Sequence, residues 1–294
     1  MYHTIVISGG ASYVAAFFGC IRYLEHTCLL GSVRRFVGSS AGSFVALLLT
    51  LGLTADEIRD WTHHVIVGYK MNKIDTDGIL DIVNTMGLDP GDKLLAGVRA
   101  TLRRWCSKGE NATFADVCKL TGHDLVICAL NVNKQKHEYF SLDKTPLMPV
   151  ALAVRISMSI PLLWQPVHYN DSLYVDPLIG RNFPFDFPGA CVDDPGILGL
   201  TVKKDNCPIA SSGSMDFYLF LLHLLGMLVQ QSNDHSGKFK YTMVNVKLDN
   251  NCYEVFSSST LEFIWSTEHA ISMSQMGYMQ TEKVIAPLIL PNIT

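Results

Sequence analysis

The chain has 294 residues, enough for one large α/β domain or two small ones, and 48% of them are hydrophobic, which indicates a substantial buried core. The formal net charge of −4 and the scattered Lys and Arg residues argue against a nucleic-acid binder. The longest apolar run, residues 217–229, is shorter than the roughly 20 residues that cross a bilayer, so a buried helix is favoured there over an interfacial one.

The N-terminal residues predict a strand, a glycine-rich turn and a helix. Thr4–Ser8 is a short apolar strand, Gly9–Ser12 is the turn, and a helix is expected over about 13–30. Backbone amides converge at the start of a helix, so this layout suits an anion. A dinucleotide site would need G-x-G-x-x-G and an acidic residue near the end of the next strand, which the sequence lacks, so no dinucleotide cofactor is expected.

A second predicted strand, at about 33–37, leads directly into the stretch 38–42, G-S-S-A-G, and then into a helix rich in Ala and Leu. Such a sharp bend needs small residues, here Gly38 and Gly42, to let strand and helix approach each other. Ser40 would present its hydroxyl at the tip, beside free amides and the positive end of the helix. This predicts a nucleophile elbow. The alternative is a Gly/Ser-rich turn without chemistry.

The rest of the chain alternates between helices and short apolar strands. Capping signals predict helices that begin at Thr54 with Glu57, at Asp89 with Pro90, and at Thr113. Further elements are expected at about 124–130 (strand), 138–142 (strand), 146–158 (helix), 167–175 (hairpin), 199–202 (strand), 215–230 (helix), 240–246 (strand) and 260–284 (helix). This order predicts one domain over 1–294, a three-layer α/β/α sandwich with a mainly parallel central sheet.

The eight cysteines form no C-x-x-C pair and several lie in apolar runs. They are predicted to be reduced, buried thiols, with neither a disulfide framework nor a metal site. The sequence starts almost at once with a strand, so no signal peptide is expected. A cytoplasmic location is therefore expected, with peripheral contact at membranes.

Three segments, in this order, resemble the patatin-like phospholipases. The stretch 7–11, I-S-G-G-A, is similar to the glycine-rich oxyanion loop of that family, and 38–42 is similar to its nucleophile elbow. The block 154–161, followed by 176–184 with the sequence D-P-L-I-G-R-N-F-P, is similar to its second catalytic block, D-G-x-x-x-x-N-x-P. The resemblance covers about 4–190 and is looser over about 191–294.

The resemblance implies a lipid acyl hydrolase of the phospholipase A type that needs no metal or cofactor. Ser40 would be the nucleophile, and Asp176 the base of a Ser–Asp dyad without histidine. Gly9, Gly10 and Ala11 would supply oxyanion amides. The reaction would pass through an acyl-serine that water resolves. The substrate would be a phospholipid or another acyl-ester lipid, reached by transient contact with a membrane surface. Neither head group nor oligomeric state is indicated.

Three departures from the family pattern keep a second function open. Ala11 replaces the third glycine, and its methyl costs about 1 kcal/mol if φ must be positive. Tyr13 replaces a basic residue, which removes a positive charge, and Val14 replaces the next glycine. Pro177 replaces the glycine after Asp176, fixing φ near −65° and removing an N–H. The alternative to an active enzyme is therefore a degenerate homologue that binds a lipid or a protein.

An ordinary α/β-hydrolase is the other enzymatic interpretation. It would add a histidine such as His223, His235 or His269 to Ser40 and an acid, in the chain order that such enzymes use. Against it, the elbow follows only about two strands, and no motif surrounds the late histidines. The acyl pocket is expected to be lined by residues 68–92 and by the apolar helix that starts near Phe217, on composition alone.

Overall fold

The computed structural model describes residues 1–74, 81–204, 239–248 and 265–289, together with 220, 221, 224, 225, 227, 256, 257, 262 and 263. Its helices are α1 (Ala15–His26), α2 (Ala41–Thr50), α3 (Ala55–Gly68), α4 (Ile82–Thr85), α5 (Asp92–Trp105), α6 (Phe114–Thr121), α7 (Val150–Ser157), α8 (Leu178–Arg181) and α9 (Thr267–Ile289). Its strands are β1 (Thr4–Ile7), β2 (Arg35–Ser39), β3 (Gly87–Asp89), β4 (Asp124–Asn131), β5 (Lys136–Ser141), β6 (Leu162–Trp164), β7 (Val167–Tyr169), β8 (Ser172–Val175), β9 (Ile197–Lys204), β10 (Thr242–Leu248), β11 (Phe256–Ser257) and β12 (Glu262–Phe263).

The main sheet has eight strands in the order β10-β9-β1-β2-β4-β8-β7, with β5 also paired to β4. Strands β10, β9, β1, β2 and β4 are parallel, and the pairings of β5, β7 and β8 are antiparallel. This arrangement confirms the predicted α/β class and its mainly parallel sheet. Because parallel strands end at the same edge, the loops after β1 and β2 meet there, where such folds place their sites.

The two faces of the sheet bury different layers. One face, with Ile5 and Leu200, joins the core that α1, α2, α7 and α9 complete. The other face, with Val6 and Val37, packs against the aromatic segment Phe183–Phe187 within the described part of the chain. Burying a large apolar side chain contributes about 1.5–3 kcal/mol, so these two layers hold the sheet between them.

Helices α1 and α9 pack at backbone distance. A Cβ atom built on Gly19 would lie 1.7 Å from the carbonyl oxygen of Ser274, and one built on Gly277 would lie 1.9 Å from that of Ala16. Real Cβ atoms do not approach so closely, so both positions require glycine. This contact fixes α9 against α1.

Of the three predicted helix caps, two are confirmed and one is wrong. Thr54 and Thr113 both cap their helices through reciprocal capping boxes, as predicted. The predicted cap at Asp89 is wrong, because α5 begins at Asp92 with Gly91 as its N-cap. Asp89 instead ends β3, and its carboxylate accepts a hydrogen bond from the Gly91 amide at 2.6 Å. The Asp-Pro pair therefore marks the turn that precedes the helix and not the N-cap of the helix.

Several predicted boundaries also shift for identifiable reasons. The first helix begins as a 3-10 turn over Ala11–Val14, and α1 ends at His26, earlier than predicted. Helix α7 begins after Pro149, not at 146. The pairing of β3 with β6 was not predicted, since both strands have only three residues. The hairpin is confirmed: Asn170 and Asp171 take left-handed φ values of 45° and 57° between β7 and β8.

The described cysteines are free thiols, as predicted, but not all are buried. Cys20, Cys106 and Cys128 are buried, whereas Cys28 and Cys191 are exposed, which corrects that part of the prediction. Among the helices that the structure describes, none combines the length and hydropathy of a membrane span. The stretch 75–80 and most of 217–229, expected to line an acyl pocket, lie outside the described residues.

Candidate active site

Ser40 occupies a strained turn between β2 and α2. Its φ and ψ are 51° and −135°, a region that costs non-glycine residues on the order of 1–3 kcal/mol. The side chain is almost fully buried, with 5% of the residue exposed. The sequence forces this bend because Ser39 is the last residue of the strand and Ala41 the first of the helix.

The two glycines of the elbow are required by close backbone contacts. A Cβ atom on Gly38 would lie 2.5 Å from the carbonyl oxygen of Gly42, and one on Gly42 would lie 2.3 Å from that of Ser8. Strand β2, helix α2 and the end of β1 are therefore packed at distances that exclude any side chain. The predicted reason for G-x-S-x-G agrees with this geometry.

Asp176 reaches Ser40 through the register of the sheet. Strand β2 pairs with one edge of β4 as far as Ser39 with Cys128. Since β5 occupies the other edge, β8 pairs with the β2 side of β4, with Val175 opposite Leu130. Strands β2 and β8 thus run toward each other along the same edge of β4. The residue after β2 is Ser40 and the residue after β8 is Asp176, and both lie beside Ala129.

Asp176 is fully buried, with 0% of the residue exposed. Its amide donates to the Ser159 carbonyl at 2.9 Å, and its Oδ1 accepts from the Leu178 amide at 2.9 Å. Ser40 is the side-chain hydrogen-bond donor that acts on this carboxyl group. Oδ2 has no partner at full hydrogen-bond geometry within the described residues, which leaves this oxygen available to accept a proton.

Burial sets the protonation of Asp176. Removal of the carboxylate from water raises its pKa from 3.8 to about 7, while hydrogen bonds from Ser40 and the Leu178 amide lower it by less. The shift therefore places the group near half ionisation at neutral pH, the range that suits a general base. No histidine in the described part of the chain is among the groups that shift this pKa.

The replacement at Pro177 leaves the aspartate held in place. Proline has no N–H, so the first amide after Asp176 that can donate is that of Leu178, and it does so. Pro177 has φ −78° and ψ 14°, which continues the turn without a positive φ. The contact to Oδ1 thus has the form of an Asx turn, with an oxygen of residue i bound to the amide of i+2.

The loop of Gly9, Gly10 and Ala11 lies over the serine. A Cβ on Gly9 would be 2.8 Å from the Cβ of Ser40 and 2.4 Å from Oδ1 of Asn182, so this position also requires glycine. The Gly9 amide is occupied, because it donates to Ser39 Oγ at 3.0 Å and to the Asn182 carbonyl at 2.9 Å. Gly9 therefore shapes the site without offering a free donor.

The remaining amides of the loop are differently placed. Within the described chain, the Gly10 and Ala11 amides donate no hydrogen bond, nor does that of Ala41 at the start of α2. Ala11 has φ 46°, in the left-handed region, so the methyl that replaces glycine costs about 1 kcal/mol. Ala41, which directly follows the serine, was not predicted as a donor, although its place after an elbow is itself a signal.

Sequence reasoning also missed the residues that tie the loops together. Asn182 accepts from the Gly9 amide and from Ser39 Oγ through its carbonyl, and its Nδ2 donates to the Gly9 carbonyl at 3.3 Å. The Ser40 amide donates to Ser157 Oγ at 2.9 Å. Both Asn182 and Ser157 lie in the quoted motif blocks, so their positions were visible but their contacts were not.

No group of three His, Cys, Asp or Glu side chains in the described part of the chain is placed to hold a metal ion. Of the three histidines that a triad would recruit, His269 lies in α9, whereas His223 and His235 fall outside the described residues. The arrangement that remains is a serine, a buried carboxyl and unengaged amides at one edge of the sheet.

The sequence of this chain is similar to a protein-family model and to two viral proteins. A family model described as "Patatin-like phospholipase" matches residues 5–188. The "Probable lipid hydrolase 463L" of Invertebrate iridescent virus 6 is 28% identical over 187 residues, 63% of this chain and 62% of that protein. The "Uncharacterized protein R571" of Acanthamoeba polyphaga mimivirus is 27% identical over 206 residues, 69% of this chain and 66% of that protein. Both matches span less than two thirds of the viral proteins' own length.

A solved structure shares the fold. The crystal structure of VipD from Legionella pneumophila aligns with 97% of this chain and 67% of its own length, with a TM-score of 0.61 and 15% sequence identity. At that identity the likeness concerns the arrangement of helices and strands, and it extends beyond the region that the family model matches.

Proposed function

Because the chain belongs to the patatin-like phospholipase family, we propose that it hydrolyses acyl esters of lipids with Ser40 as nucleophile and Asp176 as base. The observation that carries this proposal is the convergence of the two side chains at the ends of β2 and β8, in a buried setting. The viral relative named as a probable lipid hydrolase supports the lipid class of the substrate.

The first step transfers an acyl group to the serine. Ser40 Oγ attacks the ester carbonyl carbon, and its proton passes to Asp176 Oδ2, the oxygen without a firm partner. The tetrahedral intermediate carries its negative charge on the former carbonyl oxygen. The unengaged amides of Gly10, Ala11 and Ala41 are the proposed donors to this oxyanion, each worth about 3 kcal/mol if aligned. When the C–O bond breaks, the protonated Asp176 returns its proton to the leaving alcohol.

The second step releases the fatty acid. Water enters, Asp176 accepts a proton from it, and the resulting hydroxide attacks the acyl carbon of acyl-Ser40. A second tetrahedral intermediate collapses, the ester bond to Ser40 breaks, and the proton on Asp176 passes to Ser40 Oγ. One carboxylate therefore serves both steps, and no metal or cofactor is required. The substrate would be a phospholipid or another acyl-ester lipid, met in transient contact at a membrane surface.

One observation favours a second function, a degenerate homologue that binds lipid or protein. Ala11 takes φ 46°, which a methyl group makes strained, in the loop that must present the oxyanion donors. Against this, the Pro177 change leaves the carboxyl held by Leu178, and both dyad residues are present. A triad of the ordinary α/β-hydrolase type is less supported, since no described histidine acts on Asp176.

A fluorophosphonate probe tests the proposal. It reacts with an activated serine, so we expect one adduct, located by mass spectrometry at Ser40 and absent in Ser40→Ala. Exchange of each of the ten histidines for alanine should leave labelling in place if no triad exists. An unlabelled wild-type chain, under conditions that label an active serine hydrolase, would support the binding function instead.

A further inference from the structure

The end of α7 contacts both proposed partners through their backbone. Ser157 Oγ accepts the Ser40 amide at 2.9 Å, and two residues later the Ser159 carbonyl accepts the Asp176 amide at 2.9 Å. Ser157 and Ser159 are both completely buried. One short segment therefore holds two residues that are separated by 136 positions in the chain.

The Ser157 hydroxyl is oriented for this contact. Its single proton is donated to the Cys128 carbonyl at 2.7 Å, which leaves the oxygen lone pairs facing the Ser40 amide. Cys128 is also the register partner of Ser39 in the sheet. The hydroxyl thus links β4, α7 and the elbow, and it binds the backbone of the strained residue itself.

The Ser159 position is fixed by a buried arginine. Arg155 Nη1 donates to Ser159 Oγ, and its Nη2 donates to the Pro90 carbonyl at 2.7 Å and to the Gln165 carbonyl at 3.1 Å. Ser159 Oγ in turn donates to the Arg155 carbonyl at 2.8 Å. A Cβ on Gly91 would lie 2.1 Å from Arg155, so the loop before α5 is shaped around the guanidinium.

We propose that Ser157 is a positioning residue for the nucleophile, and that Arg155 positions the aspartate through Ser159. This inference rests on the proposed function, because it concerns how the same Ser40 and Asp176 are aligned. Neither Ser157 nor Arg155 contacts the reacting atoms. A backbone amide held at a strained residue sets where the hydroxyl points, and small displacements of a nucleophile cause large losses in rate.

The test measures the second-order rate of fluorophosphonate reaction at Ser40 from pH 5 to 9. We expect Ser157→Ala to react at least about tenfold more slowly at every pH, with the midpoint of the pH profile unchanged. A general loosening would instead hydrate Asp176 and move the midpoint toward lower pH. Thr281→Ala is the matched control, since Thr281 is a buried hydroxyl that donates to a backbone carbonyl, Gly277, at 2.7 Å on α9. Its rate should stay within twofold of wild type.

A second variant guards against misfolding. Ser157→Cys nearly keeps the side-chain volume, but a thiol is only a weak hydrogen-bond acceptor. We therefore expect this variant to fold and to react with the fluorophosphonate several-fold more slowly than wild type. Arg155→Lys keeps the charge without the paired contacts and should also slow the reaction. Wild-type rates in folded Ser157→Ala or Ser157→Cys would overturn the role of Ser157, and a wild-type rate in Arg155→Lys would overturn that of Arg155. An unreactive wild-type chain would refute the proposed function and this inference with it.

Discussion

Ser40 and Asp176 meet because two strands approach each other head-on along the same edge of β4. Strand β2 ends with Ser39 opposite Cys128, and β8 ends with Val175 opposite Leu130. The residue that follows each strand therefore lies next to Ala129, so the pairing register alone brings the hydroxyl and the carboxyl together.

The reaction should lose rate as the pH falls. Only the ionised form of Asp176 can accept a proton, and burial raises its pKa to about 7. We therefore expect the rate of fluorophosphonate reaction at Ser40 to rise with pH and to reach half its maximum near pH 7. This rate is measured by quenching the labelling reaction at a series of times at each pH from 5 to 9. A profile with its midpoint near pH 4 would mean that the carboxyl is well solvated.

The same shift predicts a pH-dependent effect on stability. A buried carboxyl whose pKa is raised in the folded state stabilises the fold below its unfolded pKa, and that stability is lost as pH rises through about 7. Asp176→Asn removes the buried charge, so it should stabilise the protein relative to wild type by at most about 4 kcal/mol at pH 8. Near pH 4 the difference in free energy of unfolding between Asp176→Asn and wild type should be smaller than at pH 8. Urea denaturation at both pH values tests this, and an equal difference at the two would contradict it.

The elbow glycines should not accept a methyl group. Gly42→Ala would place a Cβ 2.3 Å from the Ser8 carbonyl oxygen, so strand and helix must separate. We expect a loss of several kcal/mol in the free energy of unfolding and loss of labelling at Ser40. Gly52→Ala is the control, because Gly52 has φ 83° but no atom within 4 Å of its Cβ position. It should cost only about 1 kcal/mol and leave labelling intact. Equal effects from the two changes would contradict the packing argument.

Local signals in the sequence predicted the elbow but not its surroundings. A strand, two glycines and an apolar helix around Ser40 specify a bend from short-range sterics alone. Asp176 was identified from family resemblance, since nothing near it in sequence reveals that β8 pairs beside β2. Register depends on contacts between distant segments, and that information is not local.

The glycine loop shows the same limit. The sequence indicates that Gly9, Gly10 and Ala11 form one turn. Only the three-dimensional structure shows that the Gly9 amide donates hydrogen bonds to Ser39 Oγ and to the Asn182 carbonyl. The cap predicted at Asp89 failed for a related reason: the Asp-Pro pair marks a turn, and the short pairing of β3 with β6 decides which turn forms.

Fatty-acid release from phosphatidylcholine vesicles at pH 8 is the most direct test of the proposed dyad. We expect the wild-type chain to release fatty acid, and Ser40→Ala and Asp176→Asn each to lower the rate by at least about 10³-fold while remaining folded. Asp171→Asn, an exposed aspartate in the hairpin turn, should match wild type. Full release by folded Asp176→Asn would contradict the account.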